Sequence, residues 1–365
     1  MSILSDYWNN FQVVLFPQLE TVLEMPLTRR LEQFVYVLDV IQIERYIPSP
    51  YDQRMGRKEL DRRPMARAFI AKALYDLSTT ELLIERLHLD SALRRICGFE
   101  YRRNIPSSST FSRAFDRFAK FKLCDRVHKA LVHYHVGDRI VMHVSRDSTA
   151  VSAREKPVKW DKSVPKTPRK RGRPKKGEEP LAKESTRIEK QLTQTFEEAV
   201  AELSQGCNVG SKSDSKGNTY RWTGYKAHID WADGSVPLSV ITTSASVHDS
   251  QVAIPLARMT SDRVISFYDL MDSAYDAAPI REMCEKLGHV AIIDTNCRRG
   301  KPVKMEAFRK LRYNERSTAE RGNSRLKDEF GFRHLRVRGH AKVHLHLMLG
   351  ILTLFADQLR NVFSG

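Results

Sequence analysis

The sequence predicts an α/β domain preceded by an all-helical N-terminal domain, and three observations carry that expectation. Up to about residue 135 the apolar residues recur at three and four positions, the period of amphipathic helices. At Asp138 the pattern changes to alternation around β-branched residues, and the segments beyond it read as strand, hairpin, strand, helix, strand and helix. Sixty-one Lys and Arg against 44 Asp and Glu leave a net charge of +17. That charge points to a polyanionic partner, nucleic acid first and acidic membrane second. With 365 residues there is room for two domains and a sizeable core.

No run of 18 or more apolar residues occurs, and the first residues lack a basic region followed by a long apolar core and a cleavage site. The expectation is therefore a soluble, intracellular, cytoplasmic protein with no membrane span. Cys97, Cys124, Cys207, Cys284 and Cys297 include no Cys-x2-Cys pair, so neither a zinc site nor a disulfide framework is suggested. His344 and His346 alternate in an apolar helical stretch, and the two point to different faces, as ordinary packing residues do.

In the N-terminal domain, taken as 1–135, Trp8, Phe11, Phe16 and Leu19 have helical spacing, and Leu31, Phe34, Val35 and Leu38 predict a helix over 27–40. Pro48 and Pro50 break it. Helix resumes at Pro64, which suits a first turn. Ser78 and Glu81 read as a capping box opening the next helix. Asp90 caps a short helix ending at Gly98. The cluster Ser107, Ser108 and Ser109 then opens a basic, aromatic helix. The short helices over 77–121 fit a helix-turn-helix-like DNA reader with Ser112 and Arg113 near its leading edge. The alternative is a plain bundle with Phe111, Phe115 and Phe118 in the core.

The second domain, 136–365, opens with a strand over 139–151 that delivers Asp147 near its end. An insertion over 153–218 follows. Its stretch 156–176 holds ten Lys or Arg, one acid and several prolines, a composition that buries no core and predicts disorder. A helix over 186–203 and a polar, glycine-rich loop complete the insertion. Two strands joined by the Asp233-Gly234 turn come next. A strand over 264–272 ends in an acid, a helix covers 279–287 and a further strand ends at Asp294. Asp269, Asp272, Asp276 and Asp294 all compete as a strand-end carboxylate. After a basic turn over 331–339, an apolar helix over 343–362 packs the sheet.

The most informative stretch is 313–327. If it is helical, Tyr313, Arg316 and Lys327 fall within about 40° of Glu320, and Ala319, Leu326 and Phe330 form an adjacent apolar stripe. Read blandly, this is a solvated face with an Arg316–Glu320 ion pair. The spacing Tyr313-x2-Arg316-x3-Glu320-x6-Lys327, however, resembles at all four positions the C-terminal signature of DDE transposases from bacterial insertion sequences. Asp147-Ser-Thr is similar to the first aspartate motif of that family. Asp272-Ser-Ala-Tyr-Asp276 resembles its Asp-x-Gly-Tyr-Asp element, with Ala274 where glycine is usual. The Gly224-Tyr225-Lys226 and His248-Asp249-Ser250 runs have family counterparts too, and Arg171 and Arg173 sit in a run that resembles an AT-hook, a minor-groove element.

The resemblance implies a ribonuclease-H-like core in which Asp147, Asp272 and Glu320 hold Mg2+, with Mn2+ a substitute. It implies hydrolytic release of a 3′-OH at the element ends and its in-line attack on target DNA. Tyr313, Arg316 and Lys327 would hold strand phosphates, and Arg113, Arg171, Arg173 and Lys226 complete the expected DNA contacts. Double-stranded DNA, as terminal inverted repeats and as target, is the partner, with a homodimer assembled on it. The other readings are an inactive or domesticated DNA-binding descendant and a ribonuclease-H-like DNA nuclease without strand transfer.

Overall fold

A computed structural model gives the architecture and describes residues 26–49, 59–159, 185–213, 218–295 and 304–363. The helix expected around Trp8 lies outside these residues. Among the described residues six α-helices come first: α1 (Arg29–Ile41), α2 (Arg63–Leu74), α3 (Thr80–Leu89), α4 (Ser91–Cys97), α5 (Ser108–Lys120) and α6 (Leu123–Val136). Pro64 stands in the first turn of α2 as expected, and Asp90 caps α4, accepting from the Leu93 N–H at 2.9 Å. The cap of α3 is Thr79, whose hydroxyl accepts from the Leu82 N–H at 3.1 Å. The box expected at Ser78 is therefore displaced by one residue, and Glu81 instead accepts from the Ser108 hydroxyl. Phe69 of α2 meets Phe111, Phe115 and Phe118 of α5 edge to face, which places these phenylalanines in the core. Helix α6, given no bounds of its own from the sequence, buries Leu123, Cys124, Val127, Leu131, Val132 and Val136 at helical spacing, with His128 on the same face.

The chain then forms β1 (Ile140–Ser152), α7 (Arg187–Gln191), α8 (Phe196–Ala201), β2 (Asn208–Ser213), β3 (Thr219–Ala232), β4 (Val236–Ser244), α9 (Ser250–Ser261), β5 (Ile265–Met271), α10 (Ala278–Lys286), β6 (Val290–Ile293), α11 (Ala307–Tyr313), α12 (Ser317–Glu329) and α13 (His340–Phe363). Two expectations are corrected here. The helix over 186–203 is two helices, because Thr186 with Glu189 and Thr195 with Glu198 each close a capping box, so a new helix starts where the old one would have continued. Part of the polar loop is strand β2, paired antiparallel with the first half of β3.

The sheet is mixed. β1 lies between β3, antiparallel, and β5, parallel, and β6 extends the parallel edge. The second half of β3 pairs with β4 and the first half with β2. At the changeover stands Gly224, where a Cβ would lie 2.1 Å from the Val151 carbonyl oxygen. Only glycine allows that approach. Helix α9 covers one face of the sheet, backed by α7, α8 and α10, and α12 packs on β1 and β3. Helix α13 packs against α1, α2, α5, α6 and β4, so one hydrophobic core runs from the N-terminal helices into the sheet. Among the described residues no helix is long and apolar enough to cross a membrane.

Candidate active site

Side chains alternate between the faces of a strand, and this sorts the site. Arg146, Ser148 and Ala150 of β1 stand opposite Asp230, His228 and Lys226 of β3. This set faces α9, where the Thr260 hydroxyl reaches Asp230 at 2.6 Å. Asp147 and its partner Ile229 face the other way, with Trp231, toward α12. β1 runs on to Ser152, so Asp147 lies in the middle of the strand and not near its end as expected. What does end there is the parallel pairing with β5, whose last pair is Ser145 with Leu270. Counting on from that register sets Asp147 level with Asp272, the residue after β5. The Asp272 carboxylate accepts from the Ala274 N–H at 2.9 Å and caps a short 3-10 turn.

Two of the rival acids, Asp269 and Asp276, have side-chain partners of their own. Asp269 shares the face of Arg146 and meets His289 Nδ1 at 3.1 Å in a buried pair. Asp276 pairs with Arg281 at 2.8 Å, and Asp294 accepts from the Thr295 N–H.

Helix α12 closes over Asp147. Its Gly322 lies so near Trp231 that a Cβ would meet the indole ring at 2.5 Å, and its Asn323 donates to Asp147 Oδ2 at 2.9 Å. Glu320 stands one turn before Asn323. The 313–327 stretch is not one uniform helix, since a 3-10 turn, Asn314–Arg316, joins α11 to α12. Arg316 still reaches both carboxylates, Glu320 Oε1 at 2.6 Å and Asp147 Oδ1 at 4.0 Å. The ion pair of the bland reading is thus present. Glu320 is largely exposed, whereas the Asp147 side chain is 14% exposed. Burial pushes the Asp147 carboxyl up to about 6, with Lys212 and Arg316 opposing and Asp272 adding to the rise.

The remaining expected residues are placed as follows. Tyr313 is half-buried with its ring beside Lys310 and Arg316, at 5.0 and 5.9 Å, and burial raises its phenol. Lys327 is half-buried, which lowers its ammonium, with Arg333 and Lys212 close enough to lower it further. Arg113 is exposed on α5 and donates to Thr110. Lys226 does not join the group: alternation turns it to the α9 face, where its ammonium donates to Asp249 at 2.9 Å and to the Val247 carbonyl. Arg171 and Arg173 lie outside the described residues. Two residues near Asp147 were missed. Lys212 belongs to the unrecognised strand β2, and Asn323 was signalled only by standing three positions after Glu320.

Among the described residues no three Asp, Glu, His or Cys side chains form a closed metal-binding group. The donors present nonetheless fit a hard divalent cation. Asp147, Asp272 and Glu320 offer oxygen alone, the chemistry Mg2+ and Mn2+ prefer. The buried Asp147 carboxylate is only partly compensated, and the buried Oδ1 of Asn323 has no hydrogen-bond partner.

A family model described as Transposase DDE domain matches residues 147–356, more than half of the chain and beginning at Asp147 itself. A second, described as Transposase domain (DUF772), matches residues 22–117. No curated protein and no solved structure matches the chain.

Proposed function

Because the chain belongs to the transposase DDE domain family, we propose that it cuts DNA at the ends of an insertion sequence and joins the freed 3′-OH to target DNA, with Asp147, Asp272 and Glu320 as its catalytic carboxylates. What supports this reading is the β1–β5 register, which counted on from its last pair sets Asp147 level with Asp272 just beyond β5, together with Arg316, which reaches both Asp147 and Glu320 of α12.

The family implies a ribonuclease-H-like core and a divalent metal. Asp147, Asp272 and Glu320 would hold the metal, with Glu320 released from Arg316. When bound, divalent cations supply Lewis-acid stabilisation of the attacking and leaving oxygens of an in-line displacement. The chain's own groups do the rest. Asn323 fixes the Asp147 carboxylate by its 2.9 Å bond. Arg316 offers a planar fork and Lys327 a point charge to the phosphates of the cut strand. Tyr313 lies against Arg316 and limits its sweep. Double-stranded DNA is the substrate, and two copies, one at each element end, are the working unit.

The test incubates purified protein and Mg2+ with end-labelled duplexes taken from the DNA flanking its own coding sequence. Wild type is expected to nick at a defined position, while Asp147→Asn, Asp272→Asn and Glu320→Gln bind without cutting, because binding rests on Lys and Arg. Binding without cleavage by wild type would leave a DNA-binding descendant. Nicking without joined products would leave a nuclease.

A further inference from the structure

A cleft of about 600 Å3 lies between the N-terminal helices and the basic loop that follows α12, apart from the carboxylates. Its floor is formed by buried phenylalanines of α2 and α5, and its rim carries Lys72, Arg154, Arg336 and Arg338. None of these four is in an ion pair among the described residues, although arginines elsewhere on this surface, Arg333 and Arg117, are. Lys342 also lines the cleft but is tied to Asp116 at 3.3 Å. The acids facing Lys72 are Glu81, which accepts from Ser108, and Asp76, which lies 3.6 Å from His334. Burial pulls the Lys72 ammonium down to about 8. Ser108 and Ser112 bring the N-terminus of the 13-residue α5 to the same rim, adding the positive end of a helix dipole. Lys72 is turned to these acids, but three exposed arginines with no ion pair among the described residues and a helix N-terminus around one groove are arranged for a chain of negative charges.

The sheet and α12 set the distance from the carboxylates. Ser152, at the cleft end of β1, is five residues from Asp147, about 17 Å at a strand's rise. Phe330, which lines the cleft, is ten residues beyond Glu320, about 15 Å along the helical path. We propose that this cleft grips the DNA backbone roughly four to six base pairs from the phosphate held at the carboxylates, taking about 3.4 Å per step. The proposal rests on the DNA-cutting reading and adds a second, sequence-independent hold on the same duplex.

The test compares wild type, Arg336→Ala/Arg338→Ala and Arg336→Lys/Arg338→Lys for binding to a mixed-sequence duplex of about 40 base pairs, without metal, across a salt series. Each lost phosphate contact removes about 0.9 from the salt slope. The advantage of wild type over the alanine pair is therefore expected to shrink about twelvefold between about 50 and 200 mM salt. The lysine pair is expected to keep the wild-type slope, and the melting temperature to stay unchanged, since both arginines are exposed. A control pair on the opposite side of the sheet, Lys190→Ala/Lys286→Ala, is expected to leave the slope nearly intact. An unchanged slope in the alanine pair, or an equal drop in the control pair, overturns the proposal. So does saturation of the cleft by inorganic phosphate with no effect on DNA binding. The two readings fail separately: cleavage by wild type with an unchanged alanine slope removes only the cleft, and the expected slopes with no cleavage under any divalent metal remove only the cutting reaction.

Discussion

Replacing Gly322 with alanine puts a methyl carbon 2.5, 2.6 and 2.7 Å from three carbons of the Trp231 six-membered ring. Carbon contacts are comfortable at about 3.5 to 4.0 Å, so either α12 or the indole must retreat by about 1 Å. Trp231 is fully buried and has nowhere to swing. The helix moves, and with it the next residue, Asn323, whose 2.9 Å bond to Asp147 stretches out of hydrogen-bonding range. Overpacking costs about 1 to 3 kcal/mol and a lost bond to a charged group about 1.5 to 3, offset by about 1 from the better helix propensity of alanine. The expected net loss is about 1.5 to 5 kcal/mol, read as a lower urea midpoint at unchanged slope. Cleavage of a labelled duplex is expected to fall about a hundredfold, the usual consequence of a 1 Å misplacement. Trp231→Phe removes the crowding carbons, together with an indole N–H that has no partner. Gly322→Ala/Trp231→Phe is therefore expected to recover at least half of both losses. Wild-type stability and cleavage in Gly322→Ala, or no rescue by phenylalanine, would refute the reasoning.

Three further outcomes follow from the same geometry. With its carboxyl at about 6 in the folded protein against 3.8 otherwise, Asp147 binds its proton more tightly folded than unfolded, so stability is lost as pH rises through that interval. In chelator, Asp147→Asn is therefore expected to unfold about 2 to 3 kcal/mol later than wild type at roughly pH 8 and at nearly the same point at roughly pH 4; the opposite order in urea melts would contradict the burial. Arg316→Ala loses an ion pair whose Glu320 partner is largely exposed, and a guanidinium 4.0 Å from the buried Asp147 carboxylate, so stability is expected to fall by about 1 kcal/mol at neutral pH. Its cleavage rate should drop more than roughly tenfold, with Arg316→Lys recovering part, because an ammonium cannot make a forked phosphate contact; full activity in the alanine variant would return Arg316 to a surface role. Arg146→Met strands the fully buried Asp230, which Arg146 holds by bonds of 2.8 and 2.7 Å, at an expected loss of about 3 to 5 kcal/mol. Arg146→Met/Asp230→Leu should recover most of that, and equal losses in single and double variants would mean that packing, not charge, is at stake.

Much of the sheet was readable because its strands are rich in β-branched and aromatic residues and β3, β4 and β5 are bounded by a turn or an acid. The hairpin around Gly234 and the strand before Asp272 stand where periodicity set them. The failures have local causes. Threonines within 186–203 have hydroxyls able to cap, and a cap competes with helix continuation at the level of a single side chain. β2 has the sequence Asn-Val-Gly-Ser-Lys-Ser, without the β-branched alternation of its neighbours, and it exists because β3 offers it a partner. Missing it hid Lys212. The face of Lys226 needed the β1–β3 register, which no single segment carries. The approach of α12 to Asp147 depends on Gly322 meeting Trp231, residues 91 positions apart. The family motifs marked which acids to watch, and the register, counted on from its last pairs, sets both Asp272 and Asp294 level with Asp147.

Helix α13 has a consequence in time as well as in space. The N-terminal helices leave the ribosome first, yet the apolar faces of α1, α2, α5 and α6 close on a helix made some 200 residues later than α6. At roughly 5 to 20 residues per second, those faces wait about ten seconds or more for their partner. During that interval the nascent chain leaves exposed the part of its apolar surface that α13 later covers. Contacts of such sequence separation fold slowly and expose the chain to misassembly. A chaperone that holds nascent apolar helices is therefore expected to raise the yield of folded protein.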